Sequence, residues 1–60
     1  MYNISVIGAS DSKETFESVN KYRIWWNEES KCRVLQINFD NGDFISIYLG
    51  INDRVSIESV

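Results

Sequence analysis

The chain of 60 residues contains no histidine and no proline, and only one cysteine and three glycines. Without histidine, it lacks the commonest general base and metal-binding side chain. Cys32 has no second cysteine with which to form an internal disulfide and no histidine to activate it as a nucleophile. The composition therefore predicts a protein that is not an enzyme and that holds no metal or other cofactor.

Long apolar runs are also missing, and no segment has the apolar stretch of a secretion signal. Together with the lone cysteine, this predicts a cytoplasmic protein without a membrane contact. Six basic and nine acidic residues give a net charge of −3, which gives little support to a large nucleic-acid footprint.

The length predicts one small domain over residues 1–60. So short a chain buries a smaller fraction of its surface than a typical domain. We therefore expect either tight packing or self-association, with a homodimer as the simplest form.

The clearest pattern is at residues 33–49, where two alternating apolar and polar runs flank Asn41-Gly42. A two-residue loop there would place Asp40 opposite Asp43, and facing like charges are unfavourable. A three-residue loop with Gly42 in the left-handed conformation avoids this. It predicts the cross-strand pairs Phe39–Asp43, Asn38–Phe44, Ile37–Ile45, Gln36–Ser46, Leu35–Ile47, Val34–Tyr48 and Arg33–Leu49.

The same alternation predicts strands near residues 2–7, 22–27, 32–39, 43–49 and 54–59. The fold class is a small β-rich domain: a four- to five-stranded antiparallel meander forming a twisted sheet or a partly closed barrel. The N-terminal strand is expected at one edge or across one face.

Residues 12–20 are ambiguous. Asp11 and Glu14 resemble a capping box, and Phe16 and Val19 are spaced for one face of a helix. The serine, threonine and asparagine residues of this segment are indifferent helix formers. At most one short helix is expected here, and an irregular loop or a bent strand stays open.

Alternation also assigns side chains to the two faces of the sheet. The predicted core face carries Tyr22, Ile24, Trp26, Leu35, Ile37, Phe39, Ile45, Ile47, Leu49, Val55 and Ile57. The side chains available to cover it are Tyr2, Ile4, Val6, Phe16 and Val19. Because this cover is small, the pattern again favours self-association through edges or faces.

The opposite face, here called the outer face, carries Arg23, Trp25, Val34, Gln36, Asn38, Phe44, Ser46 and Tyr48. Tryptophan, tyrosine and arginine are enriched at the energetic centres of protein interfaces. Cross-strand aromatic pairs also stabilise a sheet when nothing binds to it, so a purely structural role stays open. The predicted protein-binding residues are Arg23, Trp25, Val34, Phe44 and Tyr48.

Basic residues suggest a second interpretation. A basic strip beside an aromatic ring is typical of surfaces that bind single-stranded nucleic acid, and the candidates are Lys21, Arg23, Trp25, Lys31 and Arg33. The acidic cluster at residues 40–43, with Asn52 and Asp53, lacks the spacing of a calcium loop. Turns use Asp, Asn and Gly for their own geometry.

The sequence thus favours a non-enzymatic protein-binding module, a stoichiometric inhibitor or adaptor of the kind made by phages and mobile elements. The alternatives are a single-stranded nucleic-acid-binding protein and a structural subunit of a homo-oligomer. A protein partner is expected, a homodimer is compatible with the pattern, and nucleic acid is the less favoured partner.

Overall fold

A computed structural model describes all 60 residues and contains five antiparallel strands in one open, twisted sheet, with no helix. The strands are β1 (Tyr2–Ile7), β2 (Lys13–Asn27), β3 (Cys32–Phe39), β4 (Phe44–Leu49) and β5 (Arg54–Ser59). Their order across the sheet is β4-β3-β2-β1-β5. The predicted fold class is confirmed, and four of the five strands lie where they were predicted; β2 begins at Lys13 and not near residue 22.

The long strand β2 belongs to both halves of the sheet. Its residues 13–19 pair with β1, and its residues 19–27 pair with β3. The register shifts twice: opposite β1 between Phe16 and Val19, where Ser18 has a left-handed φ of 58°, and opposite β3 between Val19 and Lys21. Asp40 N donates to Ser18 O at 3.0 Å. Because an extra residue in a strand bends it and increases its twist, β2 turns sharply at this bulge.

The bulge also explains the ambiguity of residues 12–20, which form the first part of β2. The helix alternative is wrong. Phe16 and Val19 lie three residues apart and both face the core. In a regular strand that spacing would put them on opposite faces, but the extra residue at Ser18 restores them to one face. In the bulged strand, Phe16 and Val19 therefore have a spacing that also fits one face of a helix.

The β3–β4 hairpin has the predicted three-residue loop. Phe39 N donates to Asp43 O at 2.8 Å, and Gly42 has a φ of 95°. All the remaining predicted cross-strand pairs, from Asn38–Phe44 to Arg33–Leu49, are present. The register deduced from charge repulsion and apolar matching is confirmed.

The last strand departs from a simple meander. After the turn at residues 50–53, β5 pairs with β1 and not with β4. Strand β1 consequently lies inside the sheet between β2 and β5, and the expectation that it occupies an edge is wrong. Asp53 shapes the turn, because its Oδ2 accepts from Gly50 N at 2.7 Å.

The core forms where the two halves of the bent sheet face each other. Its fully buried members are Ile4, Val19, Leu35, Ile37 and Leu49. Around them pack Tyr2, Val6, Phe16, Phe39, Ile45, Ile47 and Val55. The predicted cover for the core face is thus confirmed, with Ile4 and Val19 at its centre.

Four residues of the predicted core face are instead exposed: Tyr22, Ile24, Trp26 and Ile57. For the three residues on β2, the reason is that β1 begins beside Val19, so no strand lies along this side of β2 from Lys21 onward. Ile57 instead lies on the edge strand β5. Only the ring of Tyr2 reaches Tyr22, edge to face at 5.1 Å.

Ile4→Ala tests the place of β1 in the core. Removing a fully buried isoleucine leaves a cavity, so we expect the free energy of unfolding to fall by about 2–5 kcal/mol, and Ile4→Val by about 0.5–1.5 kcal/mol. Urea denaturation followed by tryptophan fluorescence measures both. Ile51→Ala, at a side chain that is 96% exposed, serves as the control. Equal stabilities for Ile4→Val, Ile51→Ala and the wild type would contradict the packing described.

Gly42→Ala tests the hairpin loop. A Cβ at Gly42 would meet no atom within 4 Å, so any cost comes from the backbone conformation alone. We expect a loss of about 1–2 kcal/mol in the free energy of unfolding. Gly42→Asn should lose less, because asparagine tolerates the left-handed region better. The same denaturation experiment compares the two, and an alanine variant as stable as the asparagine variant would argue against this loop.

Candidate protein-binding face

Three apolar side chains lie next to one another on the outer face. The register places Val34 between Trp25 on β2 and Tyr48 on β4. Val34 is only 2% exposed, although it is not part of the core cluster on the other side of the sheet. A buried valine on this face requires neighbours that exclude water from it, and the two flanking aromatic side chains supply that cover.

The outer part of this face is open. Phe44 is 64% exposed and Tyr48 is 61% exposed, and both belong to the edge strand β4. On β2, Trp25 is half-buried, and the Arg23 guanidinium lies over its ring at 4.9 Å from the ring centroid. This distance is within the range of a cation–π interaction. All five predicted protein-binding residues thus lie on the same face of the sheet, but Val34 is buried there and offers almost no surface to a partner.

The five residues of the nucleic-acid alternative do not share one surface. Lys21 and Trp25 accompany Arg23 on the outer face of β2. Lys31 lies in the β2–β3 turn, where its Nζ is 3.3 Å from Glu28 Oε2. Arg33 lies on the core side of β3, and its Nη2 donates to Asp53 O at 2.9 Å. The basic strip on the outer face therefore contains two cations.

Three open surface depressions accompany these features. One, of about 370 Å³, lies along the basic strip and is lined by Lys21, Tyr22, Arg23, Gln36 and Asn38. A second, of about 320 Å³, is lined by Trp26, Lys31, Cys32, Arg33, Leu49, Gly50 and Ile51. The third, of about 340 Å³, is lined by Val6, Gly8, Ser12, Lys13, Glu14 and Asp53.

The side chains considered for metal binding or catalysis make hydrogen bonds within or next to turns. Asn41 Nδ2 donates to Asp43 Oδ2 at 3.1 Å, and Asp43 N donates to Asn41 Oδ1 at 3.0 Å. Cys32 is half-buried, with its Sγ 3.2 Å from Ser30 Oγ. No group of three His, Cys, Asp or Glu side chains is placed to hold a metal ion. None of the structural elements is a helix long and apolar enough to cross a membrane.

Sequence reasoning missed one apolar surface. Trp26 is 56% exposed and lines the second depression together with Leu49 and Ile51. Alternation predicted Trp26 in the core, because the sequence pattern does not show that β1 pairs with β2 only as far as Val19. The apolar Ile51 in a polar turn was the one available signal.

No protein-family model, curated protein or solved structure matches this chain.

Val34→Ala measures how far the aromatic side chains protect this face from water. The substitution removes two buried methyl groups at roughly 0.8 kcal/mol each and leaves a cavity, so we expect about 2 kcal/mol less stability. Ser46→Ala, on the same face but exposed, should change the free energy of unfolding by less than about 0.5 kcal/mol. Indistinguishable values for the two variants in urea denaturation would show that Val34 is not covered.

Proposed function

We propose that this protein is a non-enzymatic binding module that occupies a surface of another protein, as a stoichiometric inhibitor or an adaptor. The observation that carries the proposal is the aromatic row on the outer face, formed by Trp25, Val34 and Tyr48 on neighbouring strands, with Tyr48 exposed beside the buried Val34 and Phe44 exposed farther along β4. Exposed aromatic rings next to a dry apolar centre have the composition of an interface anchor surrounded by residues that exclude water.

The rigidity of this row favours binding. Its members lie on three neighbouring strands of one sheet, so their relative positions are fixed before a partner arrives. Tyrosine and tryptophan supply large contact areas with few rotatable bonds, which keeps the entropic cost of binding low. Arg23 adds a cation beside Trp25 that can pair with a carboxylate of the partner.

Blocking a partner's surface needs no enclosed pocket, which suits a chain of this size. The proposal includes a cytoplasmic location and the class of small phage or mobile-element proteins. Both rest on composition and size.

Binding of single-stranded nucleic acid is the second candidate. It is favoured by one observation, the depression along Lys21 and Arg23 that adjoins Trp25 on the outer face. Bases could stack on the indole while the cations contact phosphates. Such binding weakens as salt rises, because each phosphate that is neutralised releases bound counterions, and the dependence is steeper the more phosphates are neutralised. Two cations predict a shallow salt dependence.

The test is affinity capture from a host lysate with immobilised wild type, Phe44→Ala and Tyr48→Ala, each with and without nuclease. We expect a protein that survives nuclease treatment, is retained by the wild type and is reduced at least tenfold on both variants. Both side chains are exposed, and circular dichroism checks that each variant stays folded, which matters most for Tyr48→Ala because Tyr48 also flanks the buried Val34.

Ile51→Ala is the control, because it removes an apolar side chain that is even more exposed and lies outside the outer face. Capture that falls equally with Ile51→Ala would contradict the assignment of the face. Loss of all captured material after nuclease, with recovery of nucleic acid from the untreated column, would favour the second candidate.

A further inference from the structure

The sheet has three stretches of edge without a neighbouring strand. They are the outer side of β4, the outer side of β5, and the side of β2 beyond Val19 that β1 does not reach. An unpaired edge carries backbone donors and acceptors ready to pair with another chain, and proteins commonly protect such edges with charges, prolines or bulges.

Strand β4 is the one unprotected edge. Its sequence, Phe44 to Leu49, contains no charged residue, no proline and no glycine, and its pairing with β3 has no bulge. By contrast, β5 carries Arg54 and Glu58, and the open part of β2 carries Lys21 and Arg23.

The hairpin bonds identify which groups of β4 are free. Phe39 N donates to Asp43 O across the hairpin. Counting from Asp43, every second residue along β4 therefore directs its backbone groups to β3. The intervening residues, Phe44, Ser46 and Tyr48, direct theirs away from the sheet. Their side chains are exposed on the outer face.

We propose that β4 pairs antiparallel with β4 of a second copy of this chain, with the two-fold axis at Ser46. In this register Ser46 faces its own counterpart, Phe44 faces Tyr48 of the second copy, and Ile45 faces Ile47. The three free residues of each copy make about six backbone hydrogen bonds across the seam. Aromatic pairs of this kind add to the stability of the seam.

The charges around β4 are compatible with a second copy of the chain at this edge. The seam itself is neutral, and its one flanking charge, Asp43, falls opposite Leu49 of the second copy, whose neighbour across the sheet is Arg33. No like charges face each other. A segment of six residues makes a small interface, so the association should depend on concentration.

The two-fold axis closes the assembly. Pairing through β4 consumes that edge in both copies, and the edges left open carry charges, so growth stops at two chains. The same pairing places Phe44 of one copy beside Tyr48 of the other, which joins the two outer faces into one aromatic surface. The dimer can be tested separately from the proposed function, because its test needs only purified protein and no partner.

Cross-linking at the axis tests the register. In a Cys32→Ser background, Ser46→Cys places two thiols on residues whose Cα atoms would be about 5.5 Å apart. A short bis-maleimide should then give a covalent dimer, detected by intact mass. Ser56→Cys, at the equally exposed middle of β5, is the control. We expect at least tenfold faster cross-linking for Ser46→Cys.

Equal rates at the two positions, or faster cross-linking at Ser56→Cys, would overturn the proposal. Sedimentation velocity over increasing concentration gives an independent readout. The wild type should shift from monomer toward dimer, whereas Ser46→Lys, which sets two like charges at the axis, should stay monomeric at the same concentrations. Ser56→Lys should behave as the wild type does. A wild type that stays monomeric throughout would also overturn it.

Discussion

The bulge in β2 is the constraint on which the rest of the structure depends. A flat sheet of five strands would leave one apolar face without cover. Because β2 bends at Ser18, its first part carries β1 and β5 toward the half formed with β3 and β4. Ile4 then meets Leu35 and Ile37 across the fold. The irregular stretch of β2 from Phe16 to Lys21 thus allows a chain of 60 residues to build a buried apolar centre.

The limits of sequence reasoning follow from the same bulge. The β3–β4 hairpin was predictable because alternation, the Asn41-Gly42 signal and charge repulsion all selected one register. The pairing of strands that are distant in sequence has no such local signal. Nothing in the sequence near β5 indicates that it pairs with β1. The outer face was predicted correctly as a set of residues, since it follows from alternation alone. Alternation does not show burial, however. The burial of Val34 depends on the neighbouring strands, and the exposure of Trp26 depends on how far β1 extends along β2.

In the proposed function, the outer face contributes both to stability and to binding. Trp25 and Tyr48 flank Val34 and keep it dry, so they stabilise the sheet whether or not a partner is present. The same rings present rigid apolar area to solvent at the edge formed by β4. A small protein that lacks deep pockets can still recognise a partner through such a surface, because recognition requires only fixed, complementary groups. The unprotected edge of β4 extends this surface toward a second copy.

Hydrogen exchange along residues 21–27 tests the central claim that the second part of β2 is paired on one side only. Phe39 bonds toward β4, so alternation directs the amides of Arg23 and Trp25 to β3 and those of Ile24 and Trp26 to solvent. Amide exchange followed by NMR should therefore alternate, slow at Arg23 and Trp25 and fast at Ile24 and Trp26. Uniform protection over these residues would mean that a strand lies on each side of β2, and the account of the bent, half-paired strand would be wrong.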